Sequence, residues 1–294
     1  MSSPTIVVAL DTSSASRQAL AEAIQLAPSL KASITLVHAI DQDAQMSLIP
    51  FEHAQSKEVL RKLTEDGKKL VDDAAALAEK AGVVAHKATP HGNAAAAILG
   101  LVTPETVLVC MGHSHKETWL IGSVAKDVIA ASSVPVLVVL SMPSSSSSSP
   151  ATSTALATTK LRSMLIPCDG SDSSFLALHS SLHIGKALGG SITCLHIIDP
   201  AAAEKSSDKP NGNKKSVFDQ VTLIASNHSA KVNVEAVTAS DDAPRDQLIS
   251  EEARKYDVLV ISSNYLKSLF ARLENEAAKV SVLVFGPTVS NKFH

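Results

Sequence analysis

The amino-acid sequence repeats itself, and this duplication constrains the fold more than any other feature. The segment DTSSASRQAL begins at Asp11 and DGSDSSFLAL begins at Asp169, an offset of 158 residues. SITLVHAID begins at Ser33 and SITCLHIID begins at Ser191, again 158 residues apart. Later matches follow with small shifts: TVLVCMG with DVLVISS, and VPVLVVL with VSVLVFG. The chain is therefore predicted to contain two copies of one domain.

A segment rich in serine and threonine separates the two copies. It runs from Pro143 to Lys160, reads PSSSSSSPATSTALATTK, and has almost no large apolar side chain. Such a segment cannot bury enough surface to offset the entropy lost on ordering. We predict a first domain over residues 1–142, a flexible linker over 143–160 and a second domain over 161–294.

Each copy alternates segments typical of strands with segments typical of helices. TIVVAL, at Thr5–Leu10, is a continuous apolar run of the kind found in strands covered on both faces. In the first copy the other predicted strands are SITLVHAI, VVAHKAT, TVLVCM and VPVLVVL, and the predicted helices are SASRQALAEAIQLAPSL, roughly 53–81, NAAAAILGLV and SVAKDVIAAS. This order implies right-handed crossovers and a parallel sheet.

Ligands of such sheets bind beyond the carboxyl ends of the strands, where the strand order reverses. This rule places Asp11, the residues after Val37, Thr89 and Gly112 at one edge of the first sheet. The candidate site is therefore sought among these residues.

Composition excludes several classes of protein. The net charge is -3, which gives no basic surface for nucleic acid. No window approaches the roughly 18 apolar residues that a membrane span needs. The N-terminal MSSPTIVVALD is interpreted as a strand and not as a signal peptide. The three cysteines lie far apart in apolar runs, which argues against a disulfide framework and predicts a cytoplasmic protein.

Together these segments resemble the universal stress protein family in its tandem two-domain form. The resemblance rests on an Asp near the end of strand one, LVHAID at the end of strand two, a Gly after strand four, then GSVAKDVI and VPVLVV, and it covers both halves. It implies an α/β fold with two tandem copies of a five-stranded parallel, doubly wound sheet, like that of the adenine nucleotide alpha hydrolases.

Many members of this family bind ATP or another adenine nucleotide through a glycine pattern. The pattern is Gly, two residues, Gly, nine residues, then Gly followed by Ser or Thr. Here the first glycine is Gly112 and the final pair is Gly122-Ser123. His115 replaces the second glycine, and six residues separate it from Gly122, three fewer than in the pattern.

Physical chemistry also favours an anion site in the first copy. Gly122-Ser123 opens a helix, so unpaired N–H groups and the positive end of the helix dipole face the loop. Ser123 caps this helix or gives its hydroxyl to a phosphate. Gly112 has no side chain to prevent a sugar or phosphate from approaching.

The resemblance implies a role for each residue of the site. Asp11 would bond the ribose or a metal-bound water, Ala39 would meet the adenine edge through its backbone, and Met111 with Gly112 would line the base and ribose. Lys116 would add positive charge near the phosphates. The expected cofactor-binding residues are Asp11, Thr12, Ser13, Ala39, Thr89, Met111, Gly112, His115, Gly122, Ser123 and Val124.

Structural explanations of the same residues remain open. Asp11 is also placed to cap the helix that starts near Ser13. Gly122-Ser123 is also compatible with a loop glycine and an ordinary N-cap. His113 and His115 are either a pair of metal ligands or, on the favoured interpretation, solvated loop histidines, and no catalytic or metal-ligating residue is assigned.

The second copy has a shorter phosphate segment. Val107 to Val136 spans 29 positions, whereas the matching Val258 to Val282 spans 24. The intervening SSNYLKSLFARLENEAAKVSVLV contains no glycine. We predict that the second copy has lost nucleotide binding although it keeps Asp169.

The last strand of each copy suggests how the copies interact. In this family's strand order VPVLVVL and VSVLVFG lie at sheet edges, and bare apolar edges invite pairing. The resemblance implies an intramolecular pseudo-dimer through these edge strands, and a homodimer is a further possibility.

The leading hypothesis is an adenine-nucleotide-binding protein of stress response or signalling, with one working site and Mg²⁺ accompanying ATP. It is expected not to be an enzyme, or at most a slow ATPase, because no general base or arginine finger is evident. The alternative is a nucleotide-independent protein-interaction module of the same fold. An adenylating or sulfur-transferring enzyme is disfavoured, because DTSSAS and DGSDSS lack a glycine-rich anion loop.

Overall fold

The structure is a computed structural model of the 294-residue chain. It describes residues 3–41, 53–113, 122–140, 161–198, 216–228, 230–239, 244–262, 265, 269, 272–273, 280–287 and 289. The chain divides into two compact units, one built mainly from the first copy of the repeat and the other from the second. The predicted linker, 143–160, lies outside the described residues.

The first unit alternates strands and helices as predicted. Its strands are β1 (Thr5–Ala9), β2 (Ser33–Val37), β3 (Ala85–Ala88), β4 (Thr106–His113) and β5 (Val136–Leu140). Its helices are α1 (Ser14–Leu30), α2 (His53–Lys80), α3 (Ala94–Leu99) and α4 (Ser123–Ala131). The long second helix begins and ends within one residue of the predicted range.

The five strands of the first unit are parallel and lie in the order β3-β2-β1-β4-β5. The chain moves outward from β1 to β3 and then returns to the other side of β1 to form β4. The strand order therefore reverses between β1 and β4, which is where a parallel sheet of this kind opens a crevice for a ligand.

The second unit repeats this arrangement. Its strands are β6 (Ser163–Pro167), β7 (Ser191–Ile198), β8 (Val232–Thr238), β9 (Val258–Ser262) and β10 (Ser281–Phe285), and its described helices are α5 (Asp172–Leu188), α6 (Val217–Asn227) and α7 (Arg245–Ala253). The strand order is β10-β9-β6-β7-β8, and these neighbouring strands pair in parallel. Two tandem α/β domains with five-stranded parallel sheets confirm the predicted fold class.

The offset of 158 residues holds in space at the start of each unit. Strand β6 and helix α5 occupy the positions of β1 and α1 shifted by that number, with no insertion. Ser13 caps α1 by accepting a hydrogen bond from the Ser16 N–H, and Ser171 caps α5 in the same way. The duplicated sequence thus specifies the same strand, cap and helix twice.

The cores consist of branched aliphatic side chains and alanine. Ile6, Val7 and Val8 on β1 are fully buried, because helices cover both faces of the parallel sheet. Cys110, Cys168 and Cys194 are also buried, and none of them forms a disulfide, as expected from their distant positions in apolar runs. No helix in the described part of the chain combines the length and apolarity needed to cross a membrane.

The C-terminal caps of α1 and α5 offer a test of backbone strain. Lys31 ends α1 in the left-handed conformation at φ 51°, and Gly189 ends α5 at φ 60°. Only glycine adopts this conformation without a steric cost from Cβ. We expect Lys31→Gly to raise the free energy of unfolding by about 0.5–1 kcal/mol, net of the entropy that glycine adds to the unfolded chain.

Urea unfolding followed by circular dichroism would measure this change. The reciprocal variant Gly189→Lys is the matched control, and it should lose a similar amount because nothing within 4 Å would obstruct its Cβ. A Lys31→Gly protein less stable than the wild type would contradict the argument.

Candidate functional site

The turn between β1 and α1 lies at the reversal of strand order. The Leu10 N–H donates to the Val37 carbonyl at 2.8 Å, and the chain then leaves the sheet at Asp11. The Asp11 N–H donates to Ser16 Oγ at 2.9 Å, which ties the turn to the first turn of α1. Asp11 and Thr12 are exposed and Ser13 is half-buried, so these three predicted residues lie together at the carboxyl edge of the sheet.

Asp11 orders the turn but does not cap the helix. Its Oδ1 accepts a hydrogen bond from the Ser13 N–H at 2.8 Å, whereas the helix cap is the Ser13 hydroxyl. The interpretation of Asp11 as the N-cap of α1 is therefore wrong. The carboxylate stays at the exposed edge, where a ligand can reach it.

Gly112 is required by packing inside the protein. A Cβ at this position would lie 2.3 Å from the backbone C of Ala15 and 2.3 Å from the Ser16 N. The first turn of α1 therefore crosses β4 in backbone contact, which only glycine permits. Gly112 also lies within β4 and not after it, because β4 continues to His113.

The neighbouring residues of β4 are buried. Met111 pairs with Ala9 of β1 and with Val138 of β5, and it is 5 % exposed. His113 is 8 % exposed within the strand, so its interpretation as a solvated loop histidine is wrong. Met111 thus lies opposite the last residue of β1, two residues before Asp11.

The backbone of Ala39 faces the point at which β1 has ended. The His38 N–H donates to the Ala88 carbonyl and the Ile40 N–H donates to the Pro90 carbonyl, so both of these residues bond toward β3. Because alternate residues of a strand direct their backbone groups to opposite neighbours, the N–H and C=O of Ala39 point toward β1. A backbone N–H and C=O in this orientation can form hydrogen bonds with the polar edge of a flat heterocycle.

His38 has a structural role in this edge. Its Nδ1 lies 2.8 Å from the Leu10 carbonyl, and His196 repeats the contact with the Cys168 carbonyl at 2.9 Å. Because a carbonyl only accepts, Nδ1 of each ring carries the proton that is donated. Both are therefore histidines whose Nδ1 is satisfied within the sheet.

Thr89 lies farther from the turn than the other predicted residues. It follows β3, and β2 separates β3 from β1. Since neighbouring strands are about 4.8 Å apart, Thr89 is on the order of 10 Å from the end of β1. It lies on the same edge, at a distance that only an extended ligand would bridge.

The start of α4 is open. Gly122 is its N-cap, no side chain caps the helix there, and a Cβ on Gly122 would meet nothing within 4 Å. Ser123 is the first helical residue, so the expectation that Ser123 caps this helix is wrong. Gly122 and Ser123 are exposed and Val124 is half-buried, while His115 and Lys116 lie outside the described residues.

One charged residue near the turn was missed by the sequence interpretation. Arg17 is exposed on the first turn of α1, and its Nη1 donates to the Thr12 carbonyl at 3.0 Å. This contact holds a guanidinium over the Asp11 turn. The equivalent residue in the second copy is Phe175, so the second copy has no cation at this position of its first helix.

The corresponding edge of the second unit is occupied by its own side chains. Asp169 occupies the position of Asp11, and its Oδ2 accepts a hydrogen bond from the Tyr265 hydroxyl at 2.6 Å. Arg245 Nη1 lies 3.8 Å from the same oxygen and donates to the Tyr265 oxygen at 3.3 Å. The side chain of Asp169 is only 23 % exposed, in contrast to the exposed Asp11.

These contacts change the acidity of both partners. Burial by itself would raise the pKa of Asp169, but hydrogen bonds from Ser171 and Tyr265 outweigh it and lower the pKa to about 2. Burial and the hydrogen bond to Asp169 raise the pKa of Tyr265. Asp169 is therefore an ionised carboxylate committed to internal partners.

Comparison with known proteins identifies the fold at full length. The crystal structure of a universal stress protein from Archaeoglobus fulgidus DSM 4304 aligns over 97% of this chain and 99% of its own, with 16% identity and a TM-score of 0.66. A functionally unknown protein from Pseudomonas aeruginosa PAO1 aligns over 98% of this chain and 94% of its own, with 12% identity and a TM-score of 0.58. Both likenesses concern the fold.

A shorter likeness involves a structure with a ligand. A universal stress protein in complex with cAMP aligns over 43% of this chain and 97% of its own, with 19% identity and a TM-score of 0.32. No curated protein matches the sequence. The sequence model of the universal stress protein family matches twice, over residues 3–139 and 160–280. With one match in each copy of the repeat, this chain belongs to the universal stress protein family.

Proposed function

We propose that the chain binds one adenine nucleotide, ATP or AMP, at the carboxyl edge of its first unit and that the second unit does not bind one. The biological role that fits this activity is stress response or signalling in the cytoplasm. The observation that carries the proposal is the contrast between the two copies of one turn.

That contrast concerns the strand-end aspartate. In the first unit Asp11 is exposed and Arg17 places a positive charge over the same turn. In the second unit Asp169 is engaged by Tyr265, and Arg17 is replaced by Phe175. An anionic ligand with hydroxyl groups can therefore bond to the aspartate and the arginine of the first unit. In the second unit the equivalent aspartate is already hydrogen-bonded to Tyr265, and the arginine is absent from the equivalent position.

The remaining residues fit the two ends of a nucleotide. Ala39 offers a backbone N–H and C=O for the adenine edge, and the buried Met111 pairs with Ala9 of β1 just before the Asp11 turn. At the other end, the uncapped amides that begin α4 at Gly122 suit phosphate oxygens. His115 and Lys116 are retained as proposed phosphate neighbours.

The carboxylate of Asp11 is the group that fits a role beside Mg²⁺. Mg²⁺ prefers oxygen ligands and keeps several waters, so it would accompany ATP mainly through the phosphates. Asp11 would then bond to the ribose or to a water of the ion.

The proposal of binding without efficient hydrolysis would be abandoned if phosphate release from ATP reached a turnover of about 1 s⁻¹, which is ordinary for enzymes.

Matched substitutions in the two copies test the assignment of the site. Asp11→Asn keeps an oxygen for the Ser13 N–H and removes the charge, so we expect about a 10-fold loss of nucleotide affinity, as when a charged hydrogen bond becomes a neutral one. Asp169→Asn should leave affinity unchanged. Isothermal titration with ATP, AMP and cAMP measures both variants.

The outcomes of this titration are distinct. No heat with any nucleotide, for protein shown to be folded by circular dichroism, rejects nucleotide binding and favours the interaction-module alternative. Equal losses in the two variants would reject the claim that only the first unit binds.

Substitutions of Gly122 test the phosphate end separately. Aspartate and asparagine are both good N-cap residues, so Gly122→Asp and Gly122→Asn should keep or raise stability. We expect Gly122→Asp to weaken ATP binding by at least about 10-fold, because its carboxylate would repel the phosphates, and Gly122→Asn to weaken it less. Equal ATP affinity in the two variants would remove α4 from the proposed site.

Pairing of the two domains through β5 and β10 also remains a proposal. Each of these strands is the last of its copy and, apart from Ser281, is composed of apolar residues, and an apolar strand at a sheet edge favours pairing. Failure of paired cysteines introduced into β5 and β10 to form an intramolecular cross-link would reject it. Sedimentation of the full chain would decide whether a homodimer forms.

A further inference from the structure

Three histidines meet on one face of the second unit, away from the Asp169 turn. His179 and His183 are separated by four residues on α5, so their side chains project from the same face of that helix. His228 ends α6 and presents the third ring. None of the three takes part in the nucleotide proposal, and none was singled out from the sequence.

The rings of His179 and His183 both contact the ring of His228, and their own centroids are 6.0 Å apart. The ring centroids of His179 and His228 are 4.2 Å apart, and those of His183 and His228 are 4.7 Å apart, both with edge-on geometry. One ring nitrogen from each histidine can be chosen so that all three lie within 4.8 Å of one another. All three residues are half-buried, so the cluster is neither dispersed in solvent nor sealed in the core.

We propose that His179, His183 and His228 bind one divalent transition-metal ion of the Zn²⁺ class. Three imidazole nitrogens and one remaining position for water are a recurrent tetrahedral set for Zn²⁺. Nitrogens bound about 2.0–2.1 Å from zinc stand roughly 3.4 Å apart, so no pair of nitrogens needs to close by more than about 1.4 Å from the observed limit of 4.8 Å. Rotation about the side-chain torsions of half-buried residues supplies such a movement.

The ligand type determines which ion is selected. Among the residues that the structure describes, the cluster has imidazoles and no carboxylate, so it suits Zn²⁺, Ni²⁺ or Cu²⁺ and does not suit Mg²⁺ or Ca²⁺, which prefer oxygen. This ion is therefore chemically distinct from the Mg²⁺ that would accompany ATP in the first unit. The metal site and the nucleotide site are independent proposals.

The first copy provides an internal comparison. Positions 179 and 183 correspond, by the offset of 158 residues, to Ala21 and Gln25 of α1. Neither of these is a histidine, so duplication alone does not explain the cluster. A bound ion would join the middle of α5 to the end of α6 and would hold these two helices together.

Metal competition on the untagged full chain tests the proposal. Zn²⁺ is shared between the protein and a chromogenic chelator, and the affinity and stoichiometry are read from the absorbance of the chelator complex. We expect one site in the wild type. The affinity for Zn²⁺ should fall by at least about 10-fold in His183→Ala and in His228→Ala, because substituting residues that merely hydrogen-bond to metal ligands already lowers metal affinity that much. His86→Ala, at an exposed histidine of β3, is the matched control and should bind as the wild type does.

Thermal unfolding provides a second readout. Zn²⁺ should raise the melting temperature of the wild type and of His86→Ala, and should raise it less in the two cluster variants, because a ligand stabilises the state that binds it. Circular dichroism without metal establishes that each variant is folded. The proposal fails if folded wild type binds no Zn²⁺, or if the folded cluster variants bind it as tightly as His86→Ala does.

Discussion

Gly112→Ala should destabilise the first unit by at least about 3 kcal/mol, the range of severe overpacking. The added Cβ would stand 2.3 Å from backbone atoms of Ala15 and Ser16, and no side-chain rotation relieves a clash with backbone. The first turn of α1 would have to move off β4, and the Asp11 turn would move with it. We therefore expect nucleotide binding to fall together with stability.

The matched control is alanine at the other predicted glycine. Gly122→Ala adds a Cβ in open space at an ordinary backbone angle, so we expect a cost below about 1 kcal/mol, as for an N-cap alanine. Urea unfolding followed by circular dichroism compares the two proteins. Similar stabilities for both variants would show that α1 does not approach β4 as closely as described.

Tyr265→Phe should lower the stability of the second unit by about 1.5–3 kcal/mol near neutral pH, the range for a hydrogen bond to a charged group. The substitution removes the hydroxyl that donates to Asp169 at 2.6 Å and leaves the ring in place. Tyr256→Phe, at the other tyrosine of the chain, is the control and should change stability by less than about 0.5 kcal/mol.

The same contact predicts how stability depends on acid. The pKa of Asp169 is about 2 in the folded protein, against 3.8 for a free aspartate, so the folded chain binds fewer protons between these values. The stabilisation is complete above about pH 4 and is lost as the pH falls toward 2; a shift of this size corresponds to about 2 kcal/mol. In Tyr265→Phe the pKa should rise toward 3.8 and this acid-dependent loss should shrink.

Unfolding curves at pH 7 and pH 3 for wild type, Tyr265→Phe and Tyr256→Phe measure both effects. If Tyr265→Phe lost as much stability on acidification as the wild type does, the Tyr265 hydrogen bond would not contribute to lowering the pKa of Asp169, and the bonds from Ser171 would account for it. The free energies of unfolding of the two tyrosine variants should therefore differ at pH 7, and the difference should become smaller at pH 3.

Sequence reasoning succeeded where the determining interactions are local. The offset of 158 residues places β1 with α1 and β6 with α5, because a strand pattern, a serine cap and a helical pattern are each read from a few neighbouring residues. The parallel sheet, and the edge at which its strands end, followed from the alternation of strands and helices. Asp11, Met111 and Ala39 accordingly lie at the expected edge.

Sequence reasoning failed where contacts join distant positions. Gly112 looked like a residue that admits a ligand, because nothing in its neighbourhood shows that α1 crosses β4 there. Tyr265 meets Asp169 across 96 residues, a pairing without a sequence signal. The spacing of His179 and His183 is visible in HSSLH, but His228 joins them only after α6 packs beside α5.

The placement of the three thiols has a practical consequence for chemical labelling. Cys110 lies in the first unit, where burial raises its pKa, while Cys168 and Cys194 lie in the second. Alkylating reagents attack the exposed thiolate, so each sulfur becomes reactive only after its own half has opened. The native cysteines thus report local unfolding in each half of the chain. The mass of the labelled peptide shows which half has opened, without any engineered probe.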